Sequence, residues 1–183
     1  MRQPSVCVFC GARSGTKPAY AQAARAFGTA LAQEGWRLVY GAGDVGLMGE
    51  VANAAQAAGG ATFGVMPKLL EKVEGIRTDL THYVLTETMH ERKKVMFMNC
   101  DAIVLLPGGA GSLDEFFEVL TWRQLGMHDK PIVLLDVESY WGPLLTLMEH
   151  VVREGFADGS IHDFYTVAPD AEAALDTLRA ALS

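Results

Sequence analysis

The chain has 183 residues, of which half are hydrophobic and a fifth are charged, and its formal net charge is −7. This size and composition suit one globular domain over residues 1–183 and give no sign of extended disorder. The acidic balance argues against a general nucleic-acid surface, because a duplex would be repelled except at a local basic patch. The first apolar run is only about five residues long, too short for a signal-peptide core or a membrane span, which predicts a soluble cytoplasmic protein without a membrane partner.

The first half of the chain alternates short apolar runs with alanine-rich segments of helical length. Residues 5–10, 36–40 and 61–66 are predicted as strands, and residues 19–34 and 47–58 as the helices between them. This βαβαβ order with short connections is typical of an α/β fold with an open parallel sheet and helices on both faces.

The second half begins with a long charged connection, residues 67–79, which could form a flap over a site or be solvated surface. A short strand is predicted at residues 82–85 and a helix at 88–99, where Thr88 and Glu91 have the spacing of a capping box. The remaining predicted elements are strands at 102–106, 130–136 and 165–167 and helices at 112–126, 140–154 and 170–182.

The helix predicted at 112–126 carries more apolar side chains than one contact with a sheet requires. These side chains are Phe116, Phe117, Leu120, Trp122 and Leu125. Part of this surface could form the interface of a dimer, or all of it could pack inside the domain.

Cys7 and Cys10 have the CxxC spacing, but they lie in the first predicted strand. A separation of three residues points their side chains to opposite faces of the sheet, so we expect buried thiols rather than a redox pair. Cys100 leaves an odd count without zinc-ligand spacing, and we predict no metal site.

A first glycine run, GAGDVG at residues 41–46, matches GxGxxG between a predicted strand and a predicted helix. A dinucleotide site would also need an acid at the end of the next strand to hold the ribose, and that strand ends at Met66 and Pro67. The missing acid argues against NAD. We predict instead that the backbone around Gly43 approaches a mononucleotide closely.

A second glycine run, PGGAGSLDE at residues 107–115, follows an apolar strand and precedes a helix. Glycines allow a tight turn and a close approach to a ligand, and the amides at the start of a helix attract anions. Ser112 and Glu115 also have the spacing of a capping box, which is a purely structural alternative. Three glycines within four residues at the carboxyl end of a parallel strand favour phosphate binding.

Three cations, Arg92, Lys93 and Lys94, fall in the first turns of the helix predicted at 88–99. Cations are disfavoured there by the helix dipole, so either an anionic ligand explains them or they form a solvated cluster.

Several reaction classes lack necessary residues. His90 and Glu91 do not extend to HExxH because position 94 is Lys94, and no GK[ST] follows Gly111. What remains is a carboxylate, Glu115, beside a phosphate-sized turn. A negative group near a ribose can stabilise an oxocarbenium-like state or orient a water, and Arg92 would position the groups.

The sequence resembles the LONELY GUY family of cytokinin riboside 5′-monophosphate phosphoribohydrolases. The likeness rests on PGGAGSLDE together with the helical MHERK, GAGDVGLMGE and the opening VCVFCG, and it runs from about residue 5 to residue 156. The resemblance implies a Rossmann-like fold and a homodimer. It also implies hydrolysis of the N-glycosidic bond of adenosine-type nucleoside 5′-monophosphates to a free base and ribose 5-phosphate, without a cofactor.

The resemblance also implies which residues form the site. The catalytic pair falls on Arg92 and Glu115. The nucleotide contacts fall on Glu74, Lys93, Gly108, Gly109, Ala110, Gly111, Ser112, Leu113, Asp114 and Thr121.

The chain departs from the family pattern at a few positions. Ser112 replaces a threonine but keeps the hydroxyl, Ala42 interrupts a glycine triplet, and Ala12 and Arg13 replace a small hydroxyl pair, where Arg13 could add a phosphate contact. Related sequences carry a lysine decarboxylase label, but the sequence offers no evident pyridoxal-phosphate site. The alternative that we retain is a nucleotide or molybdopterin-type cofactor carrier on the same fold.

Overall fold

Seven parallel strands form one sheet in the order β4-β3-β2-β1-β5-β6-β7 in a computed structural model, which describes residues 3–74, 77 and 79–183, and the backbone alone at 72–74. The strands are β1 (Ser5–Phe9), β2 (Arg37–Tyr40), β3 (Thr62–Pro67), β4 (His82–Thr86), β5 (Ala102–Leu105), β6 (Ile132–Leu135) and β7 (Thr166–Ala168). The predicted Rossmann-like α/β fold is confirmed.

In the described residues, seven α-helices connect or follow the strands. They are α1 (Pro18–Gln33), α2 (Gly46–Ala57), α3 (Lys68–Glu74), α4 (Met89–Met98), α5 (Ala110–Gln124), α6 (Gly142–Arg153) and α7 (Ala171–Leu182). None of the helices in the described part of the chain is long and apolar enough to cross a membrane.

The helices lie on both faces of the sheet because strand side chains alternate. Val6, Val8 and Cys10 pack in one cluster with α1, α2 and α7, while Cys7 and Phe9 pack in the other with α4, α5 and α6. The prediction that Cys7 and Cys10 are buried thiols on opposite faces is therefore confirmed.

The long connection predicted at residues 67–79 contains a helix in its first half, α3, for which the sequence analysis predicted no element. Lysine, leucine and glutamate favour a helix, and Lys68 at its start is exposed. The helix is fixed against β4, where the Tyr83 hydroxyl donates a 3.3 Å hydrogen bond to Glu71.

The order of the strands reverses beside β1. The chain first runs outward from β1 to β4, then crosses to β5 and continues to β7. The loops after β1 and β5 therefore diverge at their carboxyl ends, which is where open α/β sheets bind ligands.

Candidate active site

A cavity of about 510 Å³ opens at the carboxyl ends of the central strands. Its walls come from the loop after β1, the turn after β2, the N-terminal turns of α4 and the segment from Pro107 to Glu115. This volume is within the range of small-molecule sites. Two predicted motifs that are distant in sequence, MHERK and PGGAGSLDE, thus share one cavity.

The glycine turn after β5 leads directly into α5. The helix begins at Ala110 with Gly109 as its N-cap, and no side chain caps it. Ser112 is therefore inside the helix, and its capping box with Glu115 is absent. Because the first amides of a helix have no partner within it, the N–H groups of Ala110, Gly111 and Ser112 are available to an anion.

The Ser112 side chain explains why glycine is needed at position 108. The serine is buried, and a Cβ at Gly108 would lie 2.1 Å from its Oγ. Any side chain at position 108 would displace the hydroxyl.

The loop after β1 connects the two glycine runs. The Gly11 N–H donates to the Pro107 carbonyl at 3.0 Å, and the Gly11 carbonyl accepts from the Leu47 N–H at 3.0 Å. At Gly46, φ is +62° and a Cβ would lie 2.3 Å from the Ala12 carbonyl carbon. This glycine of the first run therefore allows close packing on the loop.

Arg92 is buried beneath the cavity rather than solvated. Its Nε donates to the Val65 carbonyl at 3.1 Å and its Nη2 to the Gly41 carbonyl at 2.8 Å. A Cβ at Gly41 would lie 1.7 Å from Nη2. The next residue, Ala42, is buried with φ of +58°, so this chain places an alanine in a conformation that favours glycine.

Lys93 has both of its carboxylate partners on α5. Its Nζ is 2.9 Å from Asp114 and 2.5 Å from Glu118. Burial lowers the pKa of Lys93, but the hydrogen bonds to Glu118 and Asp114 outweigh that effect and the net pKa is raised. The lysine thus stays charged and joins α4 to α5.

Glu115 lies in the cavity wall, partly buried. Burial is the largest influence on the pKa of its carboxyl group and raises it from the usual 4.5 to about 7. The charge of Arg92 opposes this rise and that of Asp114 adds to it. Near neutral pH the carboxyl group can therefore either donate or accept a proton, as general acid–base chemistry requires.

The remaining predicted residues lie in different places. The cavity wall includes Arg92, Lys93, Gly108, Gly109, Gly111, Ser112, Asp114 and Glu115. Gly43 is buried, Leu113 is half-buried, and Ala110 and Thr121 are exposed, and none of these four lines the cavity. The side chain of Glu74 lies outside the described residues.

Tyr140 is a wall residue that the sequence analysis missed. Its hydroxyl donates a 2.5 Å hydrogen bond to the Gly108 carbonyl, and its ring meets that of Tyr20 edge-on at 5.5 Å. The preceding Glu138 and Ser139 both have φ of +55°. This strained turn after β6 delivers Tyr140 to the glycine turn, and no local sequence signal indicates that contact.

An apolar part of the wall was also missed. It comprises Leu47, Leu70, Met48, Met89 and Met96. Only their joint placement by α2, α3 and α4 makes them neighbours.

Comparisons with known proteins agree with these features. The profile of a family described as "Possible lysine decarboxylase" matches residues 48–178. A cytokinin riboside 5′-monophosphate phosphoribohydrolase from Rhodococcoides fascians is 44% identical over 176 residues, covering 96% of this chain and 89% of the relative. A protein of the same name from Arabidopsis thaliana is 40% identical over 175 residues, covering 96% of this chain and 77% of that protein.

Solved structures share the fold. The molybdenum cofactor binding protein from Rippkaea orientalis matches with a TM-score of 0.76 and 21% identity over 100% of this chain and 99% of that one. The molybdenum cofactor carrier protein from Chlamydomonas reinhardtii matches with a TM-score of 0.76 and 23% identity over 99% of both chains. At this identity the likeness concerns the fold alone. By its closer similarity to the named phosphoribohydrolases over nearly its whole length, the chain belongs to the LONELY GUY family.

Proposed function

We propose that this protein hydrolyses the N-glycosidic bond of adenosine-type nucleoside 5′-monophosphates, releasing the base and ribose 5-phosphate. The observation that carries the proposal is the position of Glu115. A carboxyl group with a pKa of about 7 lies in the same wall as Gly111 and Ser112, whose amides are free at the start of α5, and Arg92 is close enough to lower that pKa. The names of the relatives of this chain specify the same reaction class.

The phosphate would bind at the glycine turn. The amides of Ala110, Gly111 and Ser112 face an anion at the positive end of α5, and the Ser112 hydroxyl adds a donor. Lys93 keeps Asp114 engaged, which reduces the repulsion between that carboxylate and the phosphate.

The ribose would then lie beside Glu115. As the bond to the base breaks, positive charge develops on the sugar, and a carboxylate stabilises it electrostatically. The same carboxylate can take a proton from a water whose oxygen bonds to the anomeric carbon, while the departing base keeps the electron pair of the broken bond and gains a proton. Arg92 holds the site in place through its two hydrogen bonds to backbone carbonyls.

The base would contact the apolar part of the wall. Methionine side chains adapt to ligands of different shape, so Met48 and Met89 could accept plain adenine or an N6-prenylated base. One apolar group changes discrimination by only about 1 to 3 kcal/mol, so we propose AMP and its N6-substituted forms as the substrate class.

The lysine decarboxylase description does not fit this cavity. A pyridoxal-phosphate enzyme needs a lysine that forms a Schiff base, usually with a lowered pKa. Lys93 is the lysine in the described wall, and two carboxylates raise its pKa instead.

Incubation with AMP and with its N6-isopentenyl analogue, followed by chromatography for free base, tests the proposal. We expect both to release base, and Glu115→Gln to reduce the rate by about a hundredfold or more. Glu154→Gln, which changes an exposed carboxylate after α6, should leave the rate unchanged. Tight nucleotide binding without product would contradict hydrolysis and favour a carrier.

We also propose that the protein acts in the cytoplasm as a homodimer, without a nucleic-acid or membrane partner. An exposed apolar strip at the end of α5 supports the dimer: Leu125 and Met127 are 68% and 65% exposed, and Phe117 lies two turns earlier on the same side. Thr121 lies between Phe117 and Leu125 on this strip, so a dimer formed through it would bury Thr121 at the interface.

Light scattering tests the dimer. Leu125→Glu should convert it to a monomer because a buried charge opposes association. Leu147→Glu, on the exposed side of α6, should leave the mass unchanged. A wild-type monomer at micromolar concentration would contradict the proposal.

A further inference from the structure

Three cationic residues line the cavity among those that the structure describes, and two of them already have partners. Arg92 donates to two backbone carbonyls, and Lys93 is paired with Asp114 and Glu118. The third, Arg13, is exposed at the wall, and no carboxylate among the described side chains pairs with it. Of the described cations in the wall, Arg13 is therefore the one that a ligand can use without breaking a contact seen here.

The position of Arg13 is fixed close to the glycine turn. Gly11 lies between the Arg13 backbone and the glycine turn. A Cβ built at Gly11 would lie 3.0 Å from the Arg13 carbonyl oxygen and 3.4 Å from the Gly108 Cα. On its other side, the Arg13 backbone nitrogen would lie 2.4 Å from a Cβ at Gly46. The arginine backbone is thus held between the two glycine runs, and Arg13 is one of the residues that line the cavity there.

The charges of the wall explain why a bound phosphate would contact Arg13. Among the residues that the structure describes, the carboxylates in the wall are Asp114 and Glu115, and both lie in the first turns of α5, where an anion would bind. Lys93 already forms ion pairs with Asp114 and Glu118. A phosphate dianion therefore requires a further cation, because the amides of one helix turn carry only about half a unit charge.

We propose that Arg13 binds the phosphate of the substrate and thereby sets the preference of this cavity for phosphorylated over unphosphorylated ribosides. The identity of the substrate rests on the proposed function, but the contact between Arg13 and a phosphate does not. A guanidinium can donate two parallel hydrogen bonds to phosphate oxygens.

Calorimetry with ribose 5-phosphate tests this contact directly, without requiring turnover. Arg13→Ala should weaken binding about tenfold or more, as expected for the loss of a charge-assisted hydrogen bond. Arg13→Lys keeps the charge but loses the two-pronged geometry, so its affinity should lie between those of Arg13→Ala and the wild type. Arg153→Ala removes the same charge from the exposed end of α6 and should bind like the wild type.

Kinetics with AMP provide a second measurement. In Arg13→Ala we expect KM for AMP to rise about tenfold while kcat stays within about twofold, because a contact to the phosphate contributes mainly to binding. Competitive inhibition by adenosine, which lacks the phosphate, should not change.

The outcomes separate the two proposals. Unchanged ribose 5-phosphate affinity in Arg13→Ala would overturn the role of Arg13 even if the protein hydrolyses AMP. Equal losses for ribose 5-phosphate and adenosine would also overturn it, since they indicate a distorted cavity. Weaker ribose 5-phosphate binding in a protein that releases no base would support the contact with Arg13 and refute hydrolysis.

Discussion

Arg92 Nη2 donates a 2.8 Å hydrogen bond to the Gly41 carbonyl, and a Cβ at position 41 would lie 1.7 Å from the same nitrogen. The glycine that begins the GxGxxG run is therefore required by an arginine 51 residues away. Because Gly41 has no side chain, there is space for the Arg92 guanidinium, which lies beneath the cavity. A pattern that suggests a dinucleotide loop thus also positions a residue of the proposed catalytic pair.

Gly41→Ala should impair catalysis more than folding. The added methyl must displace the guanidinium, and a misplacement of about 1 Å can reduce a rate about a hundredfold. Overpacking should cost about 1 to 3 kcal/mol of unfolding free energy. We expect kcat/KM for AMP to fall about a hundredfold while the protein still melts cooperatively.

The control for Gly41→Ala is Gly142→Ala, at the start of α6. A Cβ there meets nothing within 4 Å, so both the stability and kcat/KM should stay close to wild type. Wild-type kcat/KM in Gly41→Ala would show that Arg92 does not need its present position.

The fold was predictable because its signals are local. Runs of apolar residues and helical spacing locate the strands and most helices, and the βαβ order predicts a parallel sheet. The sequence misplaced the start of α5, because Ser112 and Glu115 satisfy a capping spacing although the helix begins at Ala110. Such a spacing cannot distinguish a cap from the first turn.

The site was predictable only in part because its contacts are long-range. Arg92 and Glu115 were singled out from the residues and assigned as the catalytic pair by the resemblance, but the burial that shifts the pKa of Glu115 depends on the packed wall. Tyr140 could not be identified, since its contact with Gly108 joins loops 32 residues apart. Arg13 was noticeable as a departure from the family pattern, but its lack of a described carboxylate partner is visible only in the structure.

Ionisation of Glu115 should lower the free energy of unfolding as the pH rises. Because its folded pKa of about 7 exceeds the usual 4.5, the native state holds the proton longer than the unfolded chain. Its favourable contribution is complete below the unfolded pKa and is lost as the pH rises through the folded pKa. Glu115→Gln, which stays neutral, should therefore be more stable than wild type at pH 8 by about 2 to 3 kcal/mol, allowing for partial solvation.

Denaturant unfolding at pH 4.5 and pH 8 measures this difference. The advantage of Glu115→Gln should be present at pH 8 and small at pH 4.5, while Glu154→Gln should show no such change. An equal difference at both pH values would indicate that Glu115 titrates normally.

The rate should depend on the ionised form of Glu115. We expect kcat/KM for AMP to rise with pH to a plateau, with a midpoint near 7. Asp114→Asn removes a charge that raises the pKa of Glu115, so the midpoint should move to lower pH. Lys93→Met removes a charge that lowers it, so the midpoint should move to higher pH.

These opposite shifts distinguish an electrostatic effect from general damage to the site. Both variants can lose rate, but only titration of Glu115 predicts midpoints on opposite sides of the wild-type value. A profile that falls through pH 7 would assign Glu115 as a general acid instead of a base.

Tyr140→Phe should weaken phosphate binding through the backbone of the glycine turn. In a trans peptide the N–H points opposite to the C=O, so the hydrogen bond from Tyr140 to the Gly108 carbonyl also fixes the direction of the Gly109 N–H. Without the hydroxyl this peptide can rotate, and we expect KM for AMP to rise roughly threefold to tenfold with little change in kcat, at a cost of about 1 kcal/mol in stability. Tyr165→Phe is the matched control because it removes a 2.9 Å hydrogen bond to His162 outside the cavity wall. If both variants lose similar stability but KM rises in Tyr140→Phe alone, the Tyr140 hydroxyl orients the turn. An unchanged KM in Tyr140→Phe would mean that the turn keeps its conformation without this hydroxyl.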